Sequence, residues 1–113
     1  MPERGDAIWL TFDPQAGHEQ AGRRPAVVLS PSAYNGKTKL AIVCPITSQV
    51  KHYPFEVVLP EGLDVRGAVL SDQARNLDWH SRRATRICML PKAVVDEVLA
   101  KLELLLHRST PSP

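Results

Sequence analysis

The residues best suited to chemistry cluster between two apolar runs, in His18-Glu19-Gln20-Ala21-Gly22-Arg23-Arg24-Pro25. An imidazole, a carboxylate and two guanidiniums sit together there, on a segment that Gly17, Gly22 and Pro25 keep from being a regular helix. Pro25 biases Arg24 toward extended backbone. A second polar group, Thr47-Ser48-Gln49, leaves the end of another apolar run. The sequence holds no Walker loop, no GxGxxG, no GxSxG and no HExxH. Its histidines, at 18, 52, 80 and 107, form no pair at metal-ligand spacing, so no metal site is expected. What remains is general acid–base chemistry assisted by arginine.

One reaction fits that inventory: cleavage of an RNA strand by its own 2'-hydroxyl. The nucleophile is already held beside the phosphorus, so neither an enzyme nucleophile nor a cofactor is needed. The protein supplies a base for the 2'-OH, an acid for the leaving 5'-oxygen, and cationic donors for the charged transition state. Arg24 suits a bidentate phosphate clamp, Glu19 or His18 suits proton transfer, and Thr47, Ser48 and Gln49 offer hydrogen bonds. Each also has a plain structural reading. An arginine before proline is often a surface residue, Glu19 beside Arg23 makes a surface ion pair, and Thr47 ends a strand.

Short extended runs position these residues. Strands are predicted over Ala7 to Phe12, Arg24 to Ser30, Leu40 to Thr47, Phe55 to Leu59, Gly67 to Leu70, Gln73 to Leu77 and Thr85 to Met89. Asn35-Gly36 reads as a turn preceded by at most one helical turn, and Pro45 as an edge or bulge. From Pro91 the period becomes helical, with Val94, Val95, Val98, Leu99, Leu102, Leu105 and Leu106 on one stripe. Pro91 suits the first helical position, and Asp96, Glu97, Lys101, His107 and Arg108 follow the order a helix dipole favours. Together these imply a curled antiparallel sheet or small barrel carrying a C-terminal helix.

With 113 residues, 43% hydrophobic and 23% charged, the chain is one globular domain with a modest core, for which a dimer contact would help. A net charge of +2 permits a nucleic-acid partner without demanding one. Arg75, Arg82, Arg83 and Arg86 crowd one stretch, either a solvated face or part of a site. Cys44 and Cys88 read as buried reduced thiols of a cytoplasmic protein. The N-terminus lacks the apolar core of a signal peptide, and no run is long enough to span a membrane.

The pattern resembles the MazF/PemK/Kid toxins of bacterial toxin–antitoxin modules, the MazF branch in particular. The matching segments include Arg4-Gly5-Asp6-Ala7-Ile8-Trp9, Phe12-Asp13-Pro14, Gly17 through Pro31, Tyr34-Asn35, Pro45-Ile46-Thr47-Ser48-Gln49, Tyr53-Pro54-Phe55-Glu56-Val57, and Asp72-Gln73 with Trp79. The resemblance implies a mainly β fold with a C-terminal helix, an SH3-like small barrel of the MazF/CcdB type, over residues 1–108 with a flexible tail at 109–113. It implies a homodimer that cleaves single-stranded RNA, chiefly mRNA and also rRNA or tRNA, without metal or cofactor, leaving a 2',3'-cyclic phosphate and a 5'-hydroxyl. A MazE-like antitoxin would inhibit it with an acidic tail.

By position, the resemblance makes Arg24 acid and phosphate clamp, Thr47 a stabiliser of the phosphate, and Glu19 a base. His18 and Asp72 match members of a Kid-type His–Arg–Asp set, but Leu70 stands where its arginine would be, which moves the weight to Arg24 and Thr47. Phe12, Ser48, Gln49, Asp72, Gln73 and Arg75 are the expected RNA contacts. Ile8 and Trp79 are expected in the core, and His52, His80 and His107 take no role. The alternative is a CcdB-like gyrase-binding toxin without nuclease activity. That type acts through its C-terminal end, and the tail His107 to Pro113 lacks the Trp-Gly-Ile ending.

Overall fold

A computed structural model describes residues 1–12 and 22–108. The β-branched and apolar runs become seven strands: β1 (Asp6–Thr11), β2 (Arg23–Val28), β3 (Leu40–Thr47), β4 (Glu56–Val58), β5 (Ala68–Leu70), β6 (Arg75–Asp78) and β7 (Thr85–Met89). All pairings are antiparallel. The order is β4-β5-β3-β2-β1-β7, with β6 also pairing β3, and the barrel-like sheet does not close on itself. β3 organises it. One edge pairs with β2; the other pairs with β6 over Leu40 to Val43 and with β5 at Ile46 and Thr47. Pro45, which has no N–H to give, lies where that second edge changes partner, the irregularity its ring demands.

Side chains alternate across a strand, so each strand feeds two cores. One face gathers Ala7, Val27, Leu29, Cys44, Ile46 and Val69, and is covered by a C-terminal helix through Val94, Val95 and Val98. The opposite face gathers Ile8, Leu10, Phe12, Ala26, Val28, Ala41, Val43 and Leu77, with Trp79 and Ala84 at its margin. Ile8 is therefore core as expected, and Trp79 is half-buried, its indole N–H donating to the Asn35 carbonyl at 2.9 Å.

Four expectations are corrected. The Asn35-Gly36 turn lies inside a helix, α1 (Ser32–Thr38), which closes at Lys39 in the left-handed conformation (φ 63°). Asn35 serves as a polar rivet rather than a turn residue. Fully buried, its amide donates to the carbonyls of Pro2 at 2.9 Å and Ser30 at 3.0 Å. Its side-chain oxygen accepts from the Ser30 hydroxyl, and that hydroxyl oxygen accepts the Ile42 N–H at 2.8 Å. The C-terminal helix, α2, spans Lys92–Leu106 with Pro91 at the N-cap, one position earlier than expected. Its first turn holds no acidic residue and its last no basic one, so the charges do not sit where the dipole acts. Lys101 instead donates to the Pro54 carbonyl at 2.6 Å. Leu99 and Leu102 pack on the core, whereas Leu105 and Leu106, placed on the apolar stripe by periodicity, are exposed because the last turn runs beyond it.

Cys44 is buried and Cys88 only half-buried, and both are free thiols. Among the described residues no helix is long and apolar enough to cross a membrane. The predicted tail, 109–113, lies outside the described residues.

Candidate active site

Strand register brings the two leading candidates together. Ala26 lies opposite Pro45 in the β2–β3 ladder. Carrying that antiparallel register two residues further sets Arg24 across from Thr47, on the face that also carries Phe12 and Arg75. Three clefts converge there. One of about 300 Å³ is lined by Phe12, Arg24, Thr47, Gln73 and Arg75. One of about 290 Å³ runs from Thr47 past Gln49 and Lys51 to Asp72 and Gln73. A third, about 590 Å³, takes in Arg24, Thr47, Ser48, Gln49 and Arg66. Thr47 borders all three and Arg24 two. The eight described candidates thus line one connected depression.

The local chemistry suits an anion. Arg24 is exposed and, among the described residues, its side chain holds no hydrogen bond or ion pair, which leaves its guanidinium fork available. Thr47 is half-buried; its hydroxyl oxygen accepts the Gln49 N–H at 3.1 Å, which leaves the hydroxyl proton to donate. The end of β3 is fixed by backbone: Gly67 (φ +118°) abuts it so closely that any Cβ there would overlap the Thr47 carbonyl oxygen.

The neighbouring arginines divide by role. Arg23, next to Arg24 but on the opposite face, is a clamp. It donates to the Arg83 carbonyl at 2.9 Å, to Thr85 Oγ1 at 3.2 Å and, more weakly, to Thr11 Oγ1 at 3.4 Å. Arg82 donates to the carbonyls of Thr11 at 3.0 Å and Phe12 at 2.6 Å, and Phe12 N–H donates to the Gly22 carbonyl at 2.8 Å. Phe12 and Gly22 are therefore tied together near Arg24. Arg86 pairs with buried Asp6 at 3.0 Å, an interaction that raises the guanidinium's pKa further. Of the basic stretch read as a solvated face or part of a site, Arg75 alone lines the clefts and Arg82 and Arg86 are braces.

Phe12 differs from expectation. Its ring is 8% exposed, with the Arg75 guanidinium 5.5 Å from its centroid. The side facing the cleft therefore presents the capping cation rather than an open aromatic face. His18 and Glu19 lie outside the described residues.

Sequence reasoning missed Glu56. It opens β4 and looks like a surface residue, yet it is buried, and its Oε1 accepts the backbone N–H groups of Lys51 at 3.0 Å and His52 at 2.9 Å. It thereby holds the turn that carries Lys51 and Tyr53 over the 290 Å³ cleft, with His52 in the left-handed region (φ 60°). The signal available was a carboxylate three residues after an aromatic in Tyr53-Pro54-Phe55-Glu56.

A small curled sheet with one covering helix and a free arginine facing a threonine defines a class, and comparison with known proteins agrees. Residues 3–106 match the family described as PemK-like, MazF-like toxin of type II toxin–antitoxin system, and this chain belongs to it. It is 45% identical over 106 residues to the endoribonuclease toxin MazF of Escherichia coli strain K12, covering 94% of this chain and 95% of that protein. It is 44% identical to the endoribonuclease toxin ChpB of the same strain, over 89% and 90% of the two chains. The crystal structure of MazF (form I) from Deinococcus radiodurans superposes with a TM-score of 0.85 at 58% identity, covering 93% and 96%. MazF in a MazE–MazF crystal structure (form II) from the same organism superposes at 0.83 with 51% identity, covering 93% and 94%.

Proposed function

We propose that this toxin is a sequence-specific endoribonuclease that cuts single-stranded RNA without a metal. The observation that carries the reading is Arg24 across from Thr47 at the junction of three clefts, in a chain of this family. The 2'-oxygen attacks the adjacent phosphorus, the bond to the 5'-oxygen breaks, and the products are a 2',3'-cyclic phosphate and a 5'-hydroxyl. The 2'-OH proton passes to a base, for which Glu19 and His18 are the candidates. Arg24 clamps the non-bridging oxygens and, as the acid, gives the leaving 5'-oxygen its proton, and Thr47 donates its hydroxyl hydrogen to a phosphate oxygen as charge builds. Ser48, Gln49, Asp72, Gln73 and Arg75 contact flanking nucleotides.

The toxin acts in the cytoplasm, where its substrate is, as a homodimer held in check by a MazE-like antitoxin; the MazE–MazF crystal structures of the Deinococcus relative support that partner. The gyrase-binding alternative finds no support in a family and relatives described as toxins and endoribonucleases.

The test is incubation with long single-stranded RNA in excess EDTA, reading cut positions and end chemistry. Cuts at one short motif with 5'-hydroxyl ends are expected. Intact RNA from folded protein, with supercoiling by gyrase inhibited, would reverse the reading.

A further inference from the structure

The 290 Å³ cleft holds a group that strand cleavage itself does not use. Glu56 is nine-tenths buried, and one carboxylate oxygen, Oε1, is committed to the N–H groups of Lys51 and His52. No cation pairs with it among the described residues. Its second oxygen has no partner among the described residues. The one sealed, unpaired side-chain oxygen among the described residues is Ser71 Oγ, so Oε2 of Glu56 is not sealed off, and Glu56 lines the open cleft. A carboxylate is thus fixed in plane by two hydrogen bonds, with one acceptor presented. Around it stand Tyr53, which is exposed, Lys51, whose ammonium lies 5.9 Å from the Tyr53 ring centroid, and Gln73.

We propose that Glu56 is a specificity-determining residue, its free oxygen accepting a hydrogen bond from the exocyclic amino group of one base beside the cleaved bond. This rests on the endoribonuclease reading above. A single-stranded base exposes its Watson–Crick edge, and an acceptor-only carboxylate selects bases with an amino donor there. Cytosine, adenine and guanine meet that condition. Uracil does not, because its one N–H lies between two carbonyl oxygens that a carboxylate repels. Tyr53 supplies a face for the base, and Lys51 a cation for the following phosphate.

The experiment pairs the enzyme with atom-deleted RNA. In the cleaved motif each cytosine, adenine or guanine is replaced in turn by pyrimidin-2-one, purine or hypoxanthine, each lacking only the amino group. Wild type and Glu56→Gln are assayed on the set and on an oligonucleotide pool randomised at each position. At one position, amino deletion should cost wild type about tenfold in kcat/KM and cost Glu56→Gln little more, the non-additivity of groups in contact. In the pool, Glu56→Gln should move that position's preference toward uracil, since an amide N–H can meet O4. If circular dichroism shows that Glu56→Gln does not fold, Glu56→Asp, which withdraws the oxygen by one methylene, takes its place in the cycle. An equal loss on all sequences would make Glu56 a loop scaffold only and overturn the proposal. So would a wild type indifferent to amino deletion at every position. A wild type that cuts no RNA would overturn the endoribonuclease reading itself, a result distinct from both.

Discussion

A guanidinium with no partner among the described residues, set across a strand pair from a threonine whose proton is still available, is a pair waiting for an anion. Arg24→Ala should therefore lower kcat/KM about 100- to 1,000-fold while leaving the melting temperature near that of wild type. Arg24→Lys should fail to restore it, because an ammonium cannot make the two-pronged contact. Arg23, its neighbour, should behave in the opposite way. Arg23→Ala frees the Arg83 carbonyl and Thr85 from their shared donor and should cost about 1 kcal/mol of stability with a smaller effect on cleavage. Urea titration beside a cleavage assay separates the two. Cys44 makes a further prediction at this scale. Burial, and secondarily the Asp72 charge, push its thiol from 9.0 up to about 12. The folded chain then keeps a proton that the unfolded chain loses, so stability is full below pH 9 and falls as pH rises toward 12. Urea midpoints measured across that window should fall more steeply for wild type than for Cys44→Ala.

At the scale of elements, the site's dimensions are set where two backbones nearly touch. Gly67→Ala forces a side chain into the Thr47 carbonyl at a φ of +118°, and should cost about 2 to 4 kcal/mol. Residual folded protein should cut poorly because the end of β3 is displaced; thermal melting and cleavage of the same sample check both. The alternating apolar pattern made β3 legible to the residue, since its side chains fill both cores at period two, whereas β7, also placed to the residue, packs Ile87 and Cys88 against one core only. The α1 helix was not legible: Asn-Gly signals a turn locally, and only burial against Pro2, Ser30 and Trp79 turns Asn35 into a helical anchor. The same limit applied to the site. Arg24 and Thr47 stand out by type and motif, but their opposition depends on register. Glu56, Arg23 and Arg82 owe their roles to partners that no local pattern names.

For the whole molecule, the decisive fact is that β3 is shared. It pairs with β2 along one edge and with β6 and β5 along the other, and its last residue is Thr47. Both cores draw on it, through Cys44 and Ile46 on one side and Ala41 and Val43 on the other. Cleavage activity and near-ultraviolet circular dichroism should therefore be lost at the same temperature, with no inactive folded form between; activity vanishing well below the structural transition would refute this. A centre mounted on the strand that every layer needs has no hinge of its own. Among the described residues nothing in the fold swings across the opening, and a restraint laid over it from outside would meet a rigid rim.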